Sequence, residues 1–417
     1  MLAALVIFVA TYLFLAGAEL PFLRLDRPGG AVAGAVAMVA FGVLTPAQVY
    51  GEAISWDTLV LLLGMMVITS VMARAAIFRW ISWFALRRAH GPRALLAVLV
   101  VVAGALSALL VNDTVCVMCT PVVLAMVEAA ALPAVPYLLG LAFASNAGSV
   151  ATLTGNPQNM LIGTLSGIPY ASFSAALLLP AALSLLAVLA VLLAVFRREL
   201  AWKRLDIDVP PPVLDRKLAL LCAAALLFVV AGFLLGYSLA WTAMTGAALL
   251  LALSRQPPRE MFAEVDGTLL LFFAGLFVVT HGVAQAGITE RIHSALAPFF
   301  GVDATQQTLR FGLFTVAACQ LVSNVPFVLL AAHWVPRLAD PHLGWLSLAL
   351  FSTLSGNPTP VASVANLIVL ELAGSKGKIP FLRFLWVGAL CTFVPLALAL
   401  GCLLVERGHL LHEILPP

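Results

Sequence analysis

Charged side chains are scarce in this chain of 417 residues: they make up 10% of it, whereas hydrophobic residues make up 63%. A soluble domain carries roughly 25% charged residues. The shortage of charge excludes an ordinary soluble domain and predicts an all-α polytopic membrane protein in contact with the lipid bilayer. The net charge of +3 gives no reason to expect a nucleic-acid partner, because the basic residues lie in short loops between apolar segments.

The sequence also lacks the motifs of common enzymes, since it contains no P-loop, no GxSxG elbow and no HExxH pair. Its six cysteines all fall in apolar stretches, which indicates helix packing instead of a disulfide framework. A membrane-embedded enzyme would need an acid/base pair, a nucleophile with its base or a metal cluster at one depth. We therefore expect no enzymatic activity and no cofactor, apart from a sodium ion as a candidate ligand.

Apolar segments of about 20 residues, the length that crosses a bilayer, recur along the chain. We predict ten spans, of which 135–165 and 343–372 are broken. The other predicted spans are 2–18, 30–46, 58–74, 171–195, 218–236, 239–254, 268–286 and 381–404. Two further apolar segments, 95–128 and 308–336, carry polar residues at their middle. Each is predicted to be a re-entrant helical hairpin that enters and leaves the membrane on one side.

Lysine and arginine are concentrated in alternate loops of this layout. The basic loops are 19–28, 74–93, 197–217, 255–259 and 376–378. The loops without any Lys or Arg are 47–57, 166–170 and 237–238. Although Arg291, Arg310 and Arg337 depart from the pattern, the positive-inside rule favours both termini outside. We expect an integral protein of a bacterial inner membrane.

A constant shift in residue number relates the two halves of the chain. Adding 211 takes Gly64 to Gly275, and a shift of 207 takes Asn159 to Asn366. Each half is predicted to hold five spans and one hairpin. Because five is an odd number, the second half starts from the opposite side of the membrane. The halves therefore form an inverted repeat, as in many secondary transporters.

The predicted domain boundaries follow from this repeat. The first repeat covers 1–196, with scaffold spans at 2–46, transport elements at 57–165 and a span at 171–195. A cytoplasmic linker covers 197–217. The second repeat covers 218–417, with scaffold spans at 218–254, transport elements at 266–372 and a span at 381–404.

Polar residues mark the two hairpin tips, Asn112-Asp113-Thr114 and Ser323-Asn324-Val325. Asp113 is the only carboxylate that we place near the middle of the membrane, and its counterpart is the neutral Asn324. An ionisable residue at that depth is a candidate functional group. Asp113 could bind a sodium ion or exchange a proton, which makes it the candidate coupling residue. The alternative is that Asp113 only caps a helix.

Glycine, proline and polar residues interrupt the two broken spans, at 145–159 and at 355–363. Glycine permits unwound backbone, and proline fits the first turn of the half-helix that follows. The N-terminus of that half-helix suits an anion or a polar oxygen, and the unwound carbonyls suit a cation. The alternative is two ordinary proline kinks without a ligand.

The candidate substrate- and ion-binding residues combine the tips with the breaks. They are Asn112, Asp113, Thr114, Ser145, Asn146, Gly148, Ser149, Thr152, Thr154, Gly155, Asn156, Asn159, Ser323, Asn324, Gly356, Asn357, Thr359, Ser363 and Asn366. The candidate sodium ligands within this set are Asn112, Asp113, Ser323 and Asn324. His281 also lies inside a predicted span, where a lone histidine is more often a packing residue, and its role is left open.

Four motifs together resemble the ion transporter superfamily. They are NDTVCVMCTP at 112–121, SNAGSVATLTGNPQN at 145–159, SNVP at 323–326 and GNPTPVASVANLIVLE at 356–371. The superfamily includes divalent-anion/sodium symporters, arsenite permeases, plant silicon effluxers and some sodium/proton antiporters. The resemblance implies a scaffold domain that commonly dimerises and a transport domain that moves like an elevator. It also implies one ion site at each tip with its break, at 148–156 and at 356–363, and a substrate between the tips.

The chain departs from the dicarboxylate carriers at both tips, with Asn-Asp-Thr at 112–114 and with Val325-Pro326. We therefore expect a secondary active transporter of a small inorganic anion or a metalloid oxyanion or hydroxide, arsenite- or silicate-like, coupled to protons or sodium. The alternatives are a sodium/proton antiporter, a sodium-coupled dicarboxylate or sulfate symporter, and a channel. The expected partners are the small inorganic substrate and a second copy of the chain, bound through the scaffold spans.

Overall fold

The computed structural model describes residues 1–15, 26–201, 211–263 and 265–406. All regular elements within these ranges are helices. The end of the predicted first span at 16–18, the loop residues 19–25, most of the linker at 202–210 and the C-terminal residues 407–417 lie outside the described residues.

The first half contains ten helices and one π-helical stretch at Val49–Ala53. The helices are α1 Leu2–Leu15, α2 Arg27–Ala40, α3 Pro46–Gln48, α4 Trp56–Arg74, α5 Ile77–Arg88, α6 Pro92–Leu109, α7 Asn112–Ala129, α8 Ala134–Ser149, α9 Pro157–Ser166 and α10 Tyr170–Val195.

The second half contains ten α-helices as well, together with short 3-10 turns at Val335–Arg337, Pro360–Ala362 and Gly374–Gly377. The helices are α11 Arg216–Leu234, α12 Leu239–Leu253, α13 Pro258–Ala263, α14 Gly267–Gln285, α15 Ile288–Phe300, α16 Ala304–Val322, α17 Asn324–Ala331, α18 Pro341–Leu354, α19 Val364–Ala373 and α20 Phe381–Glu406.

Seven helices in the described part of the chain are long and apolar enough to cross a membrane: α4, α6, α7, α10, α11, α14 and α20. Two shorter apolar helices, α1 and α12, accompany them. Together they bear out the prediction of an all-helical integral membrane protein.

The helix breaks lie where the sequence predicts them. The first broken span is interrupted between α8 and α9, and the second between α18 and α19. The first predicted hairpin turns at Leu110–Val111, between α6 and α7. The second turns at Ser323, whose φ of 68° lies in the left-handed region that a non-glycine residue rarely adopts.

Two predicted boundaries differ from the structure. The span expected at 30–46 ends at Ala40, because Gly42 adopts a φ of 69° and closes a Schellman turn. In that turn the N–H of Gly42 donates to Val39 and the N–H of Val43 donates to Met38. The second limb of the hairpin expected at 308–336 ends at Ala331, so α17 has only 8 residues against 18 in α7.

α4 and α14 each pack against a helix of the opposite half. α4 packs against α12, and α14 packs against α2. A Cβ at Gly64 would lie 2.8 Å from the carbonyl carbon of Ala243, and one at Gly275 would lie 2.7 Å from that of Ala31. These corresponding glycines therefore allow backbone-to-backbone contact at equivalent places in the two halves.

Ion pairs between the halves mark one face of the helix assembly. Arg74 at the end of α4 bonds Glu260 at 2.9 Å, and Lys376 bonds Glu128 at 2.7 Å. Arg383 pairs with Glu199, which follows α10 where the central linker starts. We call this the linker face and the opposite one the distal face. The N-termini of α2 and α14 lie at the linker face, and the N-terminus of α4 lies at the distal face.

We predict that Gly275→Ala lowers the free energy of unfolding by about 1–3 kcal/mol, because the added methyl group meets the α2 backbone. Gly267→Ala is the matched control, since nothing lies within 4 Å of a Cβ at that position. Alanine favours a helix over glycine, so the control should be neutral or slightly stabilising. Thermal unfolding of the purified protein in one detergent measures both, and equal melting temperatures for the two variants would contradict this packing.

Candidate functional site

The two tips meet at one small pocket, with a volume of about 10 Å³. Its polar lining consists of Asn112, Asp113, Gln158, Ser323, Asn324 and Ser363, and its apolar lining of Phe272, Phe273, Val325, Pro326 and Val364. A volume of this size holds about one water molecule. The structure therefore brings residues from both halves around a nearly closed space.

Four helix N-termini converge on this pocket. Its walls include first-turn residues of α7 and α9 from the first half, and of α17 and α19 from the second. Each helix N-terminus carries roughly +0.5 of an elementary charge on its free N–H groups. Three of these helices are short, with 8 residues in α17 and 10 each in α9 and α19. Their contribution to the positive potential in the pocket therefore comes from the free N–H groups of their first turns. The helix N-termini thus supply positive partial charge to the pocket, and its described lining contains no basic side chain.

Asp113 is buried, with 7% of its surface exposed. Its carboxylate faces the backbone N–H of Ala365, in the first turn of α19. This contact links Asp113 to the N-terminus of a helix of the opposite half. The negative charge of Asp266 also acts on Asp113. A change of charge at Asp113 would therefore alter a contact between the two halves.

A chain of asparagine amides connects the tip of the first hairpin to both breaks. Asn112 Nδ2 donates to Asn146 Oδ1 at 3.1 Å, and Asn146 Nδ2 donates to Asn357 Oδ1 at 2.9 Å. Asn357 Nδ2 then donates to the carbonyl of Cys391 at 2.9 Å. Ser363 Oγ adds a second donor to Asn146 Oδ1 at 3.2 Å. All donors point one way along this chain, so its pocket end carries a free acceptor.

That free acceptor is Asn112 Oδ1, which is buried and has no hydrogen-bond partner among the described residues. A buried acceptor without a partner costs roughly 1–3 kcal/mol. Asn112 lines the pocket between the tips, so a ligand there could remove this cost. The ligand would have to offer an O–H group or a cation, because an anion without a proton cannot donate.

Asn159 and Asn366 hold the unwound backbone in the two breaks by the same contacts. Asn159 Nδ2 donates to the carbonyls of Ser149 at 3.1 Å and Thr152 at 3.0 Å. Asn366 Nδ2 donates to the carbonyls of Gly356 at 2.6 Å and Thr359 at 3.2 Å. The shift of 207 relates all three residues of the first set to those of the second.

The remaining predicted residues of the first break do not line the pocket but stabilise the break by packing and hydrogen bonds. Gly148 packs against the backbone of Gly104, and Gly155 packs against that of Ser149. The N–H of Asn112 donates to the carbonyl of Gly155 at 2.9 Å, which ties the tip to the break. Ser145, Thr152, Thr154 and Asn156 are likewise buried and make hydrogen bonds within the protein.

Among the predicted site residues in the described chain, five line the pocket itself: Asn112, Asp113, Ser323, Asn324 and Ser363. Thr114 is half-buried and is not in that lining. Sequence reasoning missed Gln158, although it lies inside the recognised break at 145–159. It also missed Phe272 and Phe273, which come from α14, where no polar residue marks the pocket.

His281 lies away from this pocket. Its Nε2 is 3.8 Å from a carboxylate oxygen of Glu52, in the π-helical stretch at the distal face. The structure therefore gives His281 a polar partner at the distal end of α14.

A larger cavity of about 210 Å³ lies beside the pocket on the linker side. It shares Phe272, Ser323, Pro326 and Val364 with the pocket. Its charged lining residues are Arg27, Asp266 and Glu371, which stand near the ends of α2, α14 and α19. We call this cavity the linker-face vestibule. The vestibule adjoins the pocket and is large enough to hold a small solute.

We predict that Asn146→Leu destabilises the protein, because it leaves Asn112 Nδ2 and Asn357 Oδ1 without their partners. Each orphaned group should cost roughly 1–3 kcal/mol. The matched control is Gln306→Leu, which removes an exposed amide of α16. Chemical or thermal unfolding of both variants tests this, and an unchanged stability of Asn146→Leu would show that the amide chain contributes nothing.

Comparisons with known proteins bear on the fold and the family. The profile of the CitMHS family, described as citrate transporters, matches residues 5–354. The uncharacterized transporter Rv2684 of Mycobacterium tuberculosis is 29% identical over 430 residues, which cover 98% of this chain and 99% of that protein. The silicon efflux transporter LSI3 of Oryza sativa subsp. japonica is 30% identical over 422 residues, which cover 85% of this chain and 87% of that protein.

The crystal structure of the Alcanivorax borkumensis YdaH transporter matches the fold with a TM-score of 0.60. Its sequence is 17% identical, and the match covers 98% of this chain and 97% of that one. The helical arrangement described above is thus that of a known transporter fold. Its family is one of membrane transporters and not of enzymes: the chain belongs to the CitMHS citrate transporter family, within the ion transporter superfamily.

Proposed function

We propose that the chain is a secondary active transporter of a small metalloid hydroxide or inorganic oxyanion, such as silicate or arsenite, driven by a proton or sodium gradient. The observation that carries this proposal is the composition of the pocket between the tips. Among the described residues, its lining contains one carboxylate, at Asp113, and an unpartnered amide oxygen, at Asn112, and includes no basic side chain.

The charge balance of the pocket favours a neutral or singly charged substrate. Four helix N-termini supply roughly +2 elementary charges in total if each has its full value, and Asp113 offsets one of them when ionised. A citrate trianion would have no arginine or lysine to neutralise it there. A neutral hydroxide can donate O–H groups to Asn112 Oδ1 and Asp113 and also accept from the helix N–H groups.

The similarity to LSI3 supports the same substrate class. That relative is named a silicon efflux transporter, and silicic acid is a small neutral hydroxide. The tip residues Asn112-Asp113-Thr114 point the same way, because they resemble the arsenite-permease and silicon-effluxer branch of the superfamily. The vestibule gives access to the pocket from one face, which favours an alternating-access transporter and not a continuous channel.

The mechanism we propose is elevator-type alternating access within an inverted repeat. Corresponding helices exchange partners between the halves, which is the packing that a two-fold relation in the membrane plane requires. Close glycine packing joins α4 to α12 and α14 to α2. The sequence alone predicts α4 and α14 as transport elements, within 57–165 and 266–372. Their packing on α12 and α2 leads us to propose instead that α4 and α14 belong to the scaffold with α1, α2, α11 and α12, and that the hairpins and broken helices form the moving domain.

The orientation we propose places the linker face in the cytoplasm of a bacterial cell and both termini outside. The basic residues Arg74, Arg197 and Lys376 lie on that face, as the positive-inside rule requires. The vestibule then opens inward. The scaffold helices α1 and α11 expose large apolar side chains, and we propose that a homodimer forms through the scaffold.

Sodium/proton antiport is the second candidate function, and the oxygen donors of the pocket favour it. Asn112 Oδ1 and the Asp113 carboxylate suit a sodium ion, because hard cations prefer oxygen ligands. Ser323 Oγ could join them from the other tip. Proton movement on addition of sodium alone, without a metalloid, would support this candidate over the first.

We predict that Asp113→Asn abolishes gradient-driven accumulation while binding persists. One pH unit across the membrane supports about tenfold accumulation at 1:1 coupling, since tenfold corresponds to about 1.4 kcal/mol. The amide retains an acceptor for the N–H of Ala365 but can neither exchange a proton nor supply a charge. Arsenite or silicic acid uptake into proteoliposomes, with and without pH and sodium gradients, measures the effect.

Asp57→Asn is the matched control for that experiment, because Asp57 is an exposed carboxylate in the first turn of α4. It should accumulate substrate like the native protein. If Asp113→Asn accumulated substrate equally well, Asp113 would have no part in coupling.

A further inference from the structure

The distal face is closed by hydroxyl groups between α4 and α9. Thr58 Oγ1 lies 3.2 Å from Thr164 Oγ1, and Ser55 Oγ lies 2.8 Å from Thr58 Oγ1. Thr58 has no exposed surface. The contact between Thr58 and Thr164 joins α4 to α9 at the distal end of the interface between a scaffold helix and a broken helix, and Ser55 supports it from the start of α4.

The corresponding helices on the linker face stand apart. The shift of 211 takes α4 to α14, and the shift of 207 takes α9 to α19. Residues of α14 and residues of α19 line the linker-face vestibule of about 210 Å³. The counterparts of Thr58 and Thr164 are Leu269 and Glu371, and both line that vestibule. In the part of the chain that the structure describes, one face is therefore closed and the other open at equivalent places.

The open face carries charges where the closed face has hydroxyls. Asp266 corresponds to Ser55, and Glu371 corresponds to Thr164. Arg27, in the same vestibule, corresponds to Ser238. Among the described residues, Arg27, Asp266 and Glu371 form no ion pair with one another within 4.0 Å. Asp266 and Glu371 are exposed, and Arg27 is half-buried.

Closure of the linker face would bring the two carboxylates together. If α14 met α19 as α4 meets α9, then Asp266 and Glu371 would approach each other, because their counterparts Ser55 and Thr164 both contact Thr58 Oγ1. Two carboxylates at short range repel each other unless a cation or proton lies between them. Arg27 is placed to be that cation, because it begins α2, which packs along α14.

We propose that Arg27, Asp266 and Glu371 form a charge gate on the linker face, open in this structure and drawn together when α14 closes on α19. Arg27 bridges the two carboxylates in the closed state. The gate positions the helices and does not bind the substrate. It rests on alternating access from the proposed function, but it is independent of which solute is carried.

The experiment compares two cysteine pairs in proteoliposomes containing the full chain. Thr58→Cys with Thr164→Cys reports distal closure. Leu269→Cys with Ile368→Cys reports linker-face closure, because both residues line the vestibule on opposite walls. A disulfide needs Cα atoms within about 7 Å. We expect copper phenanthroline to cross-link each pair, each from a different state, and a reductant to restore transport.

Arg27→Gln is then introduced into each pair. Without the arginine the carboxylates face each other unneutralised, so cross-linking of the 269/368 pair should fall about tenfold through a population shift. Cross-linking of the 58/164 pair should persist, which also confirms that the variant is folded. Arg259→Gln, which removes a basic side chain of α13 on the same face, is the control and should leave both pairs unchanged.

A charge exchange gives the sharpest readout. Arg27→Glu places three carboxylates at the gate and should reduce the 269/368 cross-link. Adding Glu371→Arg should restore it, because one cation again stands between two carboxylates. Absence of the 269/368 cross-link in the native background would overturn the gate. So would an undiminished cross-link in Arg27→Gln, or no restoration in the double variant. Alternating cross-links without any arsenite or silicate flux would leave the gate standing and reject the proposed substrate class.

Discussion

Unwound backbone at membrane depth must find its hydrogen-bond partners inside the protein, because lipid offers none. The broken helix in each half of this fold creates that demand, and Asn159 and Asn366 meet it with equivalent amide contacts. The side chains of Asn112, Asn146 and Asn357 then link the breaks to a tip. The hydrogen bonds that make the interruption tolerable are therefore also the ones that shape the pocket.

The two halves are alike in framework and different in charge. Asp113 is matched by a neutral asparagine, and Asp266 is matched by Ser55. The first difference places a carboxylate against the N-terminus of α19, across the boundary between halves. The second places a carboxylate at the open vestibule. In the mechanism we propose, the inverted repeat supplies two states of similar geometry, and these charges make the two states chemically distinct.

Local sequence patterns were sufficient to locate the helix breaks and the tips, and to align the two halves with each other. Glycine, proline and asparagine in otherwise apolar segments act locally, so 145–159 and 355–363 could be identified without coordinates. Pocket residues that act only through packing could not. Phe272 and Phe273 belong to an apolar helix without any marker. The contact between Asp113 and the N-terminus of α19 joins residues 252 positions apart in the chain, 113 and 365. The direction of the amide chain, and hence the free oxygen of Asn112, requires atomic positions.

The central claim is that the pocket takes a ligand that donates hydrogen bonds and carries little negative charge. Thermal unfolding of the purified protein with arsenous acid, silicic acid or citrate tests it most directly, since a ligand at 100 times its Kd stabilises by about 2.7 kcal/mol. The account predicts a higher melting temperature with one of the neutral hydroxides, no shift with citrate, and loss of the shift in Asn112→Leu. Stabilisation by citrate alone, retained in Asn112→Leu, would contradict it.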